Sequence, residues 1–203
     1  YMVRPGNSMD ADPLELNTQA GIINLVTGAF RPNQQEAYCT KVTAFSRNDK
    51  GKDIWDSFLD TITCENSSLK GFLQMVVGMS LFGKVYQAAL ATLRGKRLVI
   101  AGELEEGRRL SAATIKKISS TDPFQVEEKY KQPEIVKPSH TLCLFTNHLP
   151  RVGSTDEGTW RRIFVVPFNA VIQPDKTIQN YADYLAENAG GFILAWAVEG
   201  AQN

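Results

Sequence analysis

Several groups of side chains in this sequence have the types and spacings needed for chemistry on phosphates. Leu98-Val99-Ile100-Ala101-Gly102 is a short apolar run that ends in Glu103, with Leu104-Glu105-Glu106 following. In open α/β sheets ligands bind at the carboxyl ends of strands, where a carboxylate can orient a nucleophilic water or hold a phosphate-bound magnesium ion. The same pattern also fits a strand end leading into a solvated acidic loop. A second apolar run, Thr141-Leu142-Cys143-Leu144-Phe145-Thr146, ends in Asn147 and is followed by His148-Leu149-Pro150. An amide both donates and accepts, so Asn147 at a strand tip could hold a phosphate oxygen or an attacking water. It could equally close a strand before an X-Pro turn. His148 reads as a turn histidine rather than a catalytic base.

A third group is Asp156-Glu157-Gly158-Thr159-Trp160-Arg161-Arg162. Adjacent arginines after a glycine-containing loop can reach a neighbouring subunit and neutralise charge developing on a transferred phosphate; alternatively they pair with Asp156 and Glu157 on the surface. The fourth is Lys116-Lys117-Ile118-Ser119-Ser120-Thr121-Asp122, with Lys129 and Lys131 flanking Tyr130 further on. Lysines and hydroxyls around an aromatic ring suit the phosphates and bases of a single strand, or simply a solvated charged face.

The elements that must position these residues follow from periodicity. Turn formers break residues 1–53 into short apolar pieces such as Gly21-Ile22-Ile23-Asn24-Leu25-Val26, which predicts small strands and turns. From Ile54 the period becomes helical: Trp55, Phe58, Leu59 and Ile62 share one face, and Leu69, Phe72, Leu73 and Val76 another. Cys64-Glu65-Asn66-Ser67-Ser68 is the expected turn and cap between two packed helices. Leu110 to Ile118 is an expected helix with Ser111 near its start, and Phe124 to Val136 an expected pair of strands around a polar tip at Lys129 to Pro133. Ile163-Phe164-Val165-Val166-Pro167-Phe168 would be a third apolar strand. Tyr181 to Val198 is helical, aromatic through Tyr184, Phe192 and Trp196, and broken at Gly190-Gly191. Apolar strands separated by helical segments predict an α/β core with a sheet covered on both faces. The expected organisation is a strand and turn subdomain over 1–53, a helical segment over 54–83, the core over 84–172 and a C-terminal helical segment over 173–203.

With 203 residues, 43% hydrophobic and 22% charged, the chain can bury an ordinary core, which excludes a mostly disordered or fibrous protein. Lys+Arg and Asp+Glu are both 22, so any polyanion must be met by a local patch. The split is uneven: 8 basic and 9 acidic residues over 1–90, 13 and 9 over 91–162, and 1 and 4 over 163–203. The basic excess therefore sits in the middle. Cys39, Cys64 and Cys143 are odd in number and widely spaced, which predicts buried packing thiols in a reducing compartment. No apolar run approaches the roughly 20 residues that span a bilayer, and Tyr1-Met2-Val3-Arg4-Pro5 is not a signal peptide, so a soluble intracellular protein is expected.

These pieces occur in an order that resembles the superfamily 3 helicase domain of phage and plasmid primases, related to the poxvirus primase-helicase. The resembling stretches are Leu16-Asn17-Thr18 with Gly21 to Gly28, Leu93 to Leu104, Lys117 to Asp122, Phe145 to Pro150, and Thr155 to Arg162. The resemblance implies an α/β, AAA+-like ATPase core, a mostly parallel sheet between helices. It implies an NTP-hydrolysing DNA helicase or translocase using ATP and Mg2+, assembled as a homo-oligomeric ring on single-stranded DNA, in the cytoplasm of a bacterium or phage-infected host. By that resemblance Glu103 falls at the Walker B acid and magnesium ligand, Asn147 at sensor 1, and Arg161 or Arg162 at the arginine finger. Lys117, Lys129 and Lys131 fall in the DNA-facing motif and hairpin.

One departure weighs heavily. The family's phosphate cradle, G-x-x-x-x-G-K-[ST], has its nearest match in Gly78-Met79-Ser80-Leu81-Phe82-Gly83-Lys84-Val85, which lacks the final hydroxyl and continues a helical apolar pattern, so it reads as a helix end. A strand, loop and helix of roughly 30 residues are expected before Leu93, yet only Lys84 to Thr92 intervene. Either the natural protein has a segment absent here, or this is an internal deletion that binds ATP poorly. Losing a core strand would exceed the roughly 5–15 kcal/mol margin of a folded domain, which favours an absent segment. The alternatives are a non-catalytic DNA-binding or oligomerisation module that has lost nucleotide binding, and an ATPase acting on a protein partner.

Overall fold

A computed structural model describes residues 10, 12–34, 37–82, 97–102, 109, 110, 112, 115, 116, 119, 124–126, 134–136, 141–152 and 157–203. Contacts divide the chain into two units, residues 1–82 with 166–203, and residues 83–165. The expected segments 1–53, 54–83 and 173–203 all contribute residues to the first.

The first unit opens with a meander of β1 (Glu15–Asn17), β2 (Ile22–Asn24) and β3 (Phe30–Arg31), antiparallel throughout, with Leu16 opposite Ile23. Its turns are closed by side chains. Thr18 Oγ1 donates to the Gly21 carbonyl at 2.7 Å, and Asn24 Oδ1 accepts from the amides of Val26 and Thr27 at 3.0 and 2.9 Å. Helices α1 (Lys52–Thr63) and α2 (Ser67–Leu81) form where the period predicted them. Between them Cys64 and Glu65 both adopt left-handed backbone, and the Glu65 amide bonds the Asp60 carbonyl at 2.9 Å. Asn66 then caps α2 by accepting from the Leu69 amide at 3.0 Å.

The C-terminal helix of this unit, which we number α4 (Tyr181–Gln202), does not break at Gly190-Gly191 as expected. The two glycines are instead where the extended segment 45–48 crosses the helix. A Cβ on Gly190 would meet the Phe45 ring at 2.7 Å, and one on Gly191 would strike the Asn48 amide. Asn48 N also donates to the Gly191 carbonyl at 3.3 Å. Close approach outweighs the roughly 1 kcal/mol helix cost of each glycine. The predicted apolar faces meet on α4: Leu59, Trp196 and Ala197 form one buried cluster, flanked by Trp55, Phe58, Ile62, Leu73, Leu81 and Phe192. A second cluster joins Leu16, Ile23 and Leu25 of the meander to Val198. Helices α2 and α4 cross at glycines, where a Cβ on Gly78 would strike the Gly200 backbone and one on Gly200 the Gln74 carbonyl.

The second unit contains β4 (Leu98–Gly102) and β8 (Thr141–Phe145), paired in parallel, with β5 (Arg109–Leu110) and β9 (Arg151–Val152) forming another parallel ladder. Between them in sequence, β6 (Phe124–Val126) and β7 (Glu134–Val136) pair as the expected hairpin. Of the expected helix over 110–118, Ala112, Ile115 and Lys116 are helical among the described residues. A four-residue helix, α3 (Glu157–Trp160), follows β9. The architecture is mixed α/β with a small parallel sheet.

In the β4/β8 ladder Ile100 and Phe145 are 63% and 61% exposed. One expectation fails here. Residues 163–168 form no strand, and Phe164 is 74% exposed. Pro167 has no amide to give a ladder, and the Ile163 amide is already used in a turn to the Trp160 carbonyl at 3.1 Å. No described helix is long and apolar enough to cross a membrane.

The glycine crossing is testable on one helix. Gly78→Ala should lower unfolding free energy by about 1–3 kcal/mol through overpacking. Gly71→Ala, whose Cβ meets nothing within 4 Å, should raise it by up to about 1 kcal/mol. Urea unfolding of the two variants measures both signs.

Candidate functional site

The most informative feature of the second unit is the β4/β8 register. Leu98 lies opposite Thr141 and Gly102 opposite Phe145, so both strands finish at the same edge. The Thr141 amide donates to the Arg97 carbonyl at 2.8 Å and sets that register from the other end. Phe145 lies against Gly102, where a Cβ would strike its ring; a larger residue at position 102 would push the strand ends apart. The apolar run preceding Glu103 and the run preceding Asn147 are therefore neighbours in one parallel ladder. Glu103 itself lies outside the described residues.

Beyond β8 the chain turns at once. His148 N donates to Thr146 Oγ1 at 3.2 Å, and Thr146 Oγ1 donates to the His148 carbonyl at 2.9 Å. This local closure presents Asn147 at the tip, exposed, with its side-chain amide making no hydrogen bond among the described residues. Among the described residues nothing occupies its donors or its acceptor, which an amide can offer to a ligand. His148 is exposed in the same turn and contributes its backbone.

The two arginines after α3 are in different situations. Arg162 turns back and donates from Nη1 to the Gly158 carbonyl, which ties it to its own turn. Arg161 is exposed, and no carboxylate among the described residues pairs with it. Thr159 between them and the loop is fully buried and anchors the turn. Sequence could not separate the pair, because both have the same side chain and the difference lies in the turn after α3, where Arg162 folds back on Gly158 and Arg161 does not. Asp156 lies outside the described residues. So do Lys117, Lys129 and Lys131.

The residues nearest to a phosphate-binding loop have another role. Gly78-Met79-Ser80-Leu81 are the last residues of α2, Gly78 is buried against Gly200, and Ser80 Oγ donates to the Val77 carbonyl at 2.6 Å. Gly83, Lys84 and Val85 lie outside the described residues. Helical amides already bonded along the helix cannot cradle a triphosphate, so Gly78 to Leu81 do not fit that group. No group of His, Cys, Asp and Glu among the described residues is arranged to hold a metal ion. The open depression of about 720 Å³ on α1 is lined by Asp53, Asp56, Asp60 and Glu65, with Ser57, Thr61 and Cys64, and its charge repels phosphates.

The expectation of buried packing thiols is corrected. Cys39 and Cys143 are half-buried and Cys64 is exposed, and no disulfide joins them. Cys64 follows the apolar face of α1, but its left-handed cap conformation turns it out of the core. Cys143 sits within β8, where burial pushes its thiol above the ordinary cysteine range.

An apolar strand ending beside a second strand that carries a free amide at its tip is an arrangement suited to proteins that act on phosphates at a sheet edge. Residues 50–162, more than half of the chain, match a family of unknown function (DUF5906), and the chain belongs to that family. Residues 2–64 match a domain described as D5 N terminal like. The chain is 33% identical over 79 residues to "Putative helicase L207/L206" of Acanthamoeba polyphaga mimivirus, an alignment covering 39% of this chain and 8% of that protein. It is 30% identical over 95 residues to "Putative helicase 022R" of Frog virus 3 (isolate Goorha), covering 45% of this chain and 10% of that protein. The chain thus spans about a tenth of the length of these relatives.

The thiols give a check on the site. A maleimide at neutral pH should label exposed Cys64 first and Cys143 last, and raising the pH should speed Cys143 because its thiolate is scarce at neutrality. Mass-spectrometric peptide mapping over time measures the order.

Proposed function

We propose that the chain belongs to an ATP-dependent DNA helicase or translocase domain of a replication primase-helicase. The single observation that carries the reading is the parallel β4/β8 register, which ends the run preceding Glu103 beside the strand that presents Asn147. In this reading Glu103 is the Walker B carboxylate and magnesium ligand, and Asn147 is sensor 1. Arg161 is the finger, because its side chain is exposed while Arg162 is bonded to Gly158. The helicase names of the viral relatives and the D5-like N-terminal match support the class. A homo-oligomeric ring is part of the proposal, since a finger acts on a neighbour's phosphate. The superfamily 3 assignment, the AAA+-like core and single-stranded DNA as the track belong to it too.

In such domains ATP hydrolysis would supply the free energy, and Mg2+ would neutralise charge on the phosphates. Gly78 to Leu81 do not provide the cradle, so no step is assigned to the nucleotide here. This chain's own residues do three things in the reading: Asn147 holds a water or phosphate oxygen, Arg161 supplies positive charge, and the basic second unit engages the DNA backbone.

DNA-stimulated ATP hydrolysis by the natural full-length protein tests the roles. Glu103→Gln and Arg161→Ala should each cut turnover by 100-fold or more, on the order of the effect of removing a finger, and Arg162→Ala should cut it less. Undiminished turnover in Glu103→Gln and Arg161→Ala would falsify the role assignment.

The helical state of Gly78 to Leu81 favours a second reading, a DNA-binding or oligomerisation module without nucleotide binding. Titration calorimetry of this 203-residue chain with Mg-ATP separates the two. The module reading expects no heat of binding, and micromolar or tighter affinity eliminates it.

A further inference from the structure

Helix α2 is apolar almost all the way round, and Lys70 is its one charged residue. A helix of that kind is normally buried on every side. Here one side is filled: Leu73 and Leu81 join the core, and Gly78 meets Gly200 of α4. Another side, carrying Gly71, Phe72, Met75, Val76 and Met79 at spacings of three and four residues, faces outward. On it Met75 and Met79 are 37% and 48% exposed. Gly71 sharpens the point. Every other glycine of α2 and α4 sits where another part of the chain crosses, so that a Cβ on Gly78, Gly190, Gly191 or Gly200 would lie within 2.7 Å of a neighbouring atom. One on Gly71 would meet nothing within 4 Å, so no contact within the chain offsets the helix cost of this glycine. Carboxylates stand around it. Lys70, the preceding residue, is paired with Asp60, and Gln74 on the next turn has Nε2 3.4 Å from Glu199 Oε2. Glu65 is exposed beside the N-terminal end of the helix.

We propose that the Gly71/Met75/Met79 face of α2 docks a basic amphipathic helix of a protein partner. The apolar stripe takes the partner's apolar face, Gly71 lets the two backbones approach as Gly78 does for α4, and Asp60, Glu65 and Glu199 meet Lys or Arg at the partner's margin. Methionine side chains are unbranched and adapt to the shape of what they cover. A second copy offering the same face would instead bring these carboxylates together. The inference is independent of the helicase reading.

The test uses the 203-residue chain and two fluorescein-labelled synthetic peptides of 15 residues, the length of α2. Both carry Leu at helical spacing, one with Lys and the other with Glu beside it. Fluorescence anisotropy should show the Lys peptide bound at least tenfold more tightly than the Glu peptide. Met75→Glu should cut that affinity tenfold or more, although its added carboxylate would strengthen a merely ionic attachment. Gly71→Ala should weaken binding several-fold while raising the melting temperature, opposite effects that a structural role for Gly71 would not give. Val26→Ser, at an exposed side chain of the meander, should leave binding unchanged. Undiminished affinity in either Met75→Glu or Gly71→Ala overturns the proposal, as does equal affinity for the two peptides or a wild-type chain that binds neither. Sedimentation velocity covers the other occupant: a wild-type dimer that Met75→Glu dissociates makes the face a contact between copies and overturns the proposal as well.

Discussion

The first unit depends on the contact of two helix backbones at Gly78 and Gly200. A side chain at either position would occupy the other helix's main chain or the Gln74 carbonyl, so the pair sets how near α2 and α4 come. That separation decides the rest of the packing. With the axes this close, Gln74 Nε2 reaches the Trp196 carbonyl at 3.0 Å, and Leu81 can join both apolar clusters. Trp55 meets Trp196 edge-on with ring centroids 5.3 Å apart. Dispersion falls steeply with separation, so a gap of even 1 Å would forfeit much of this contact energy.

The same constraint explains a coincidence in the sequence. The glycine that begins the nearest approach to a phosphate-binding pattern is required by a helix crossing. Glycines in both settings lack a Cβ because a backbone comes close, of a neighbouring helix in one case and of a phosphate in the other. Spacing alone cannot distinguish them, and the preceding apolar run without a turn was the better guide. Glycine also misled in the opposite direction at Gly190-Gly191. Its propensity cost is local and visible in sequence, whereas the crossing of Phe45 and Asn48 that outweighs it comes from residues far away in the chain.

The part of the fold legible in the sequence is therefore the part governed by short-range periodicity. The face of α1 through Trp55, Phe58, Leu59 and Ile62, the cap at Asn66 and the hairpin of β6 and β7 all follow from residues within a few positions of one another. The coil over 163–168 and the exposure of Cys64 depend on non-local partners or on one unusual backbone angle. The candidate site divides similarly. Its strands were legible as apolar runs, but their parallel pairing joins positions about 40 residues apart, and the contrast between Arg161 and Arg162 arises from the turn that follows α3.

Charge shows the same limit of totals. A neutral chain suggests indifference to polyanions, yet residues 1–82 with 166–203 carry 8 basic and 13 acidic side chains, and residues 83–165 carry 14 and 9. Salt screens exposed charges beyond about 8 Å at physiological ionic strength. A phosphate near the second unit therefore responds to local excess positive charge, and one near α1 to the carboxylates of Asp53, Asp56 and Asp60. Opposite signs on the two units cancel in the sum but not at the surface. Under the proposed function, a nucleic-acid backbone would therefore meet its attraction on the second unit and not on the first, even though the whole chain has no net charge.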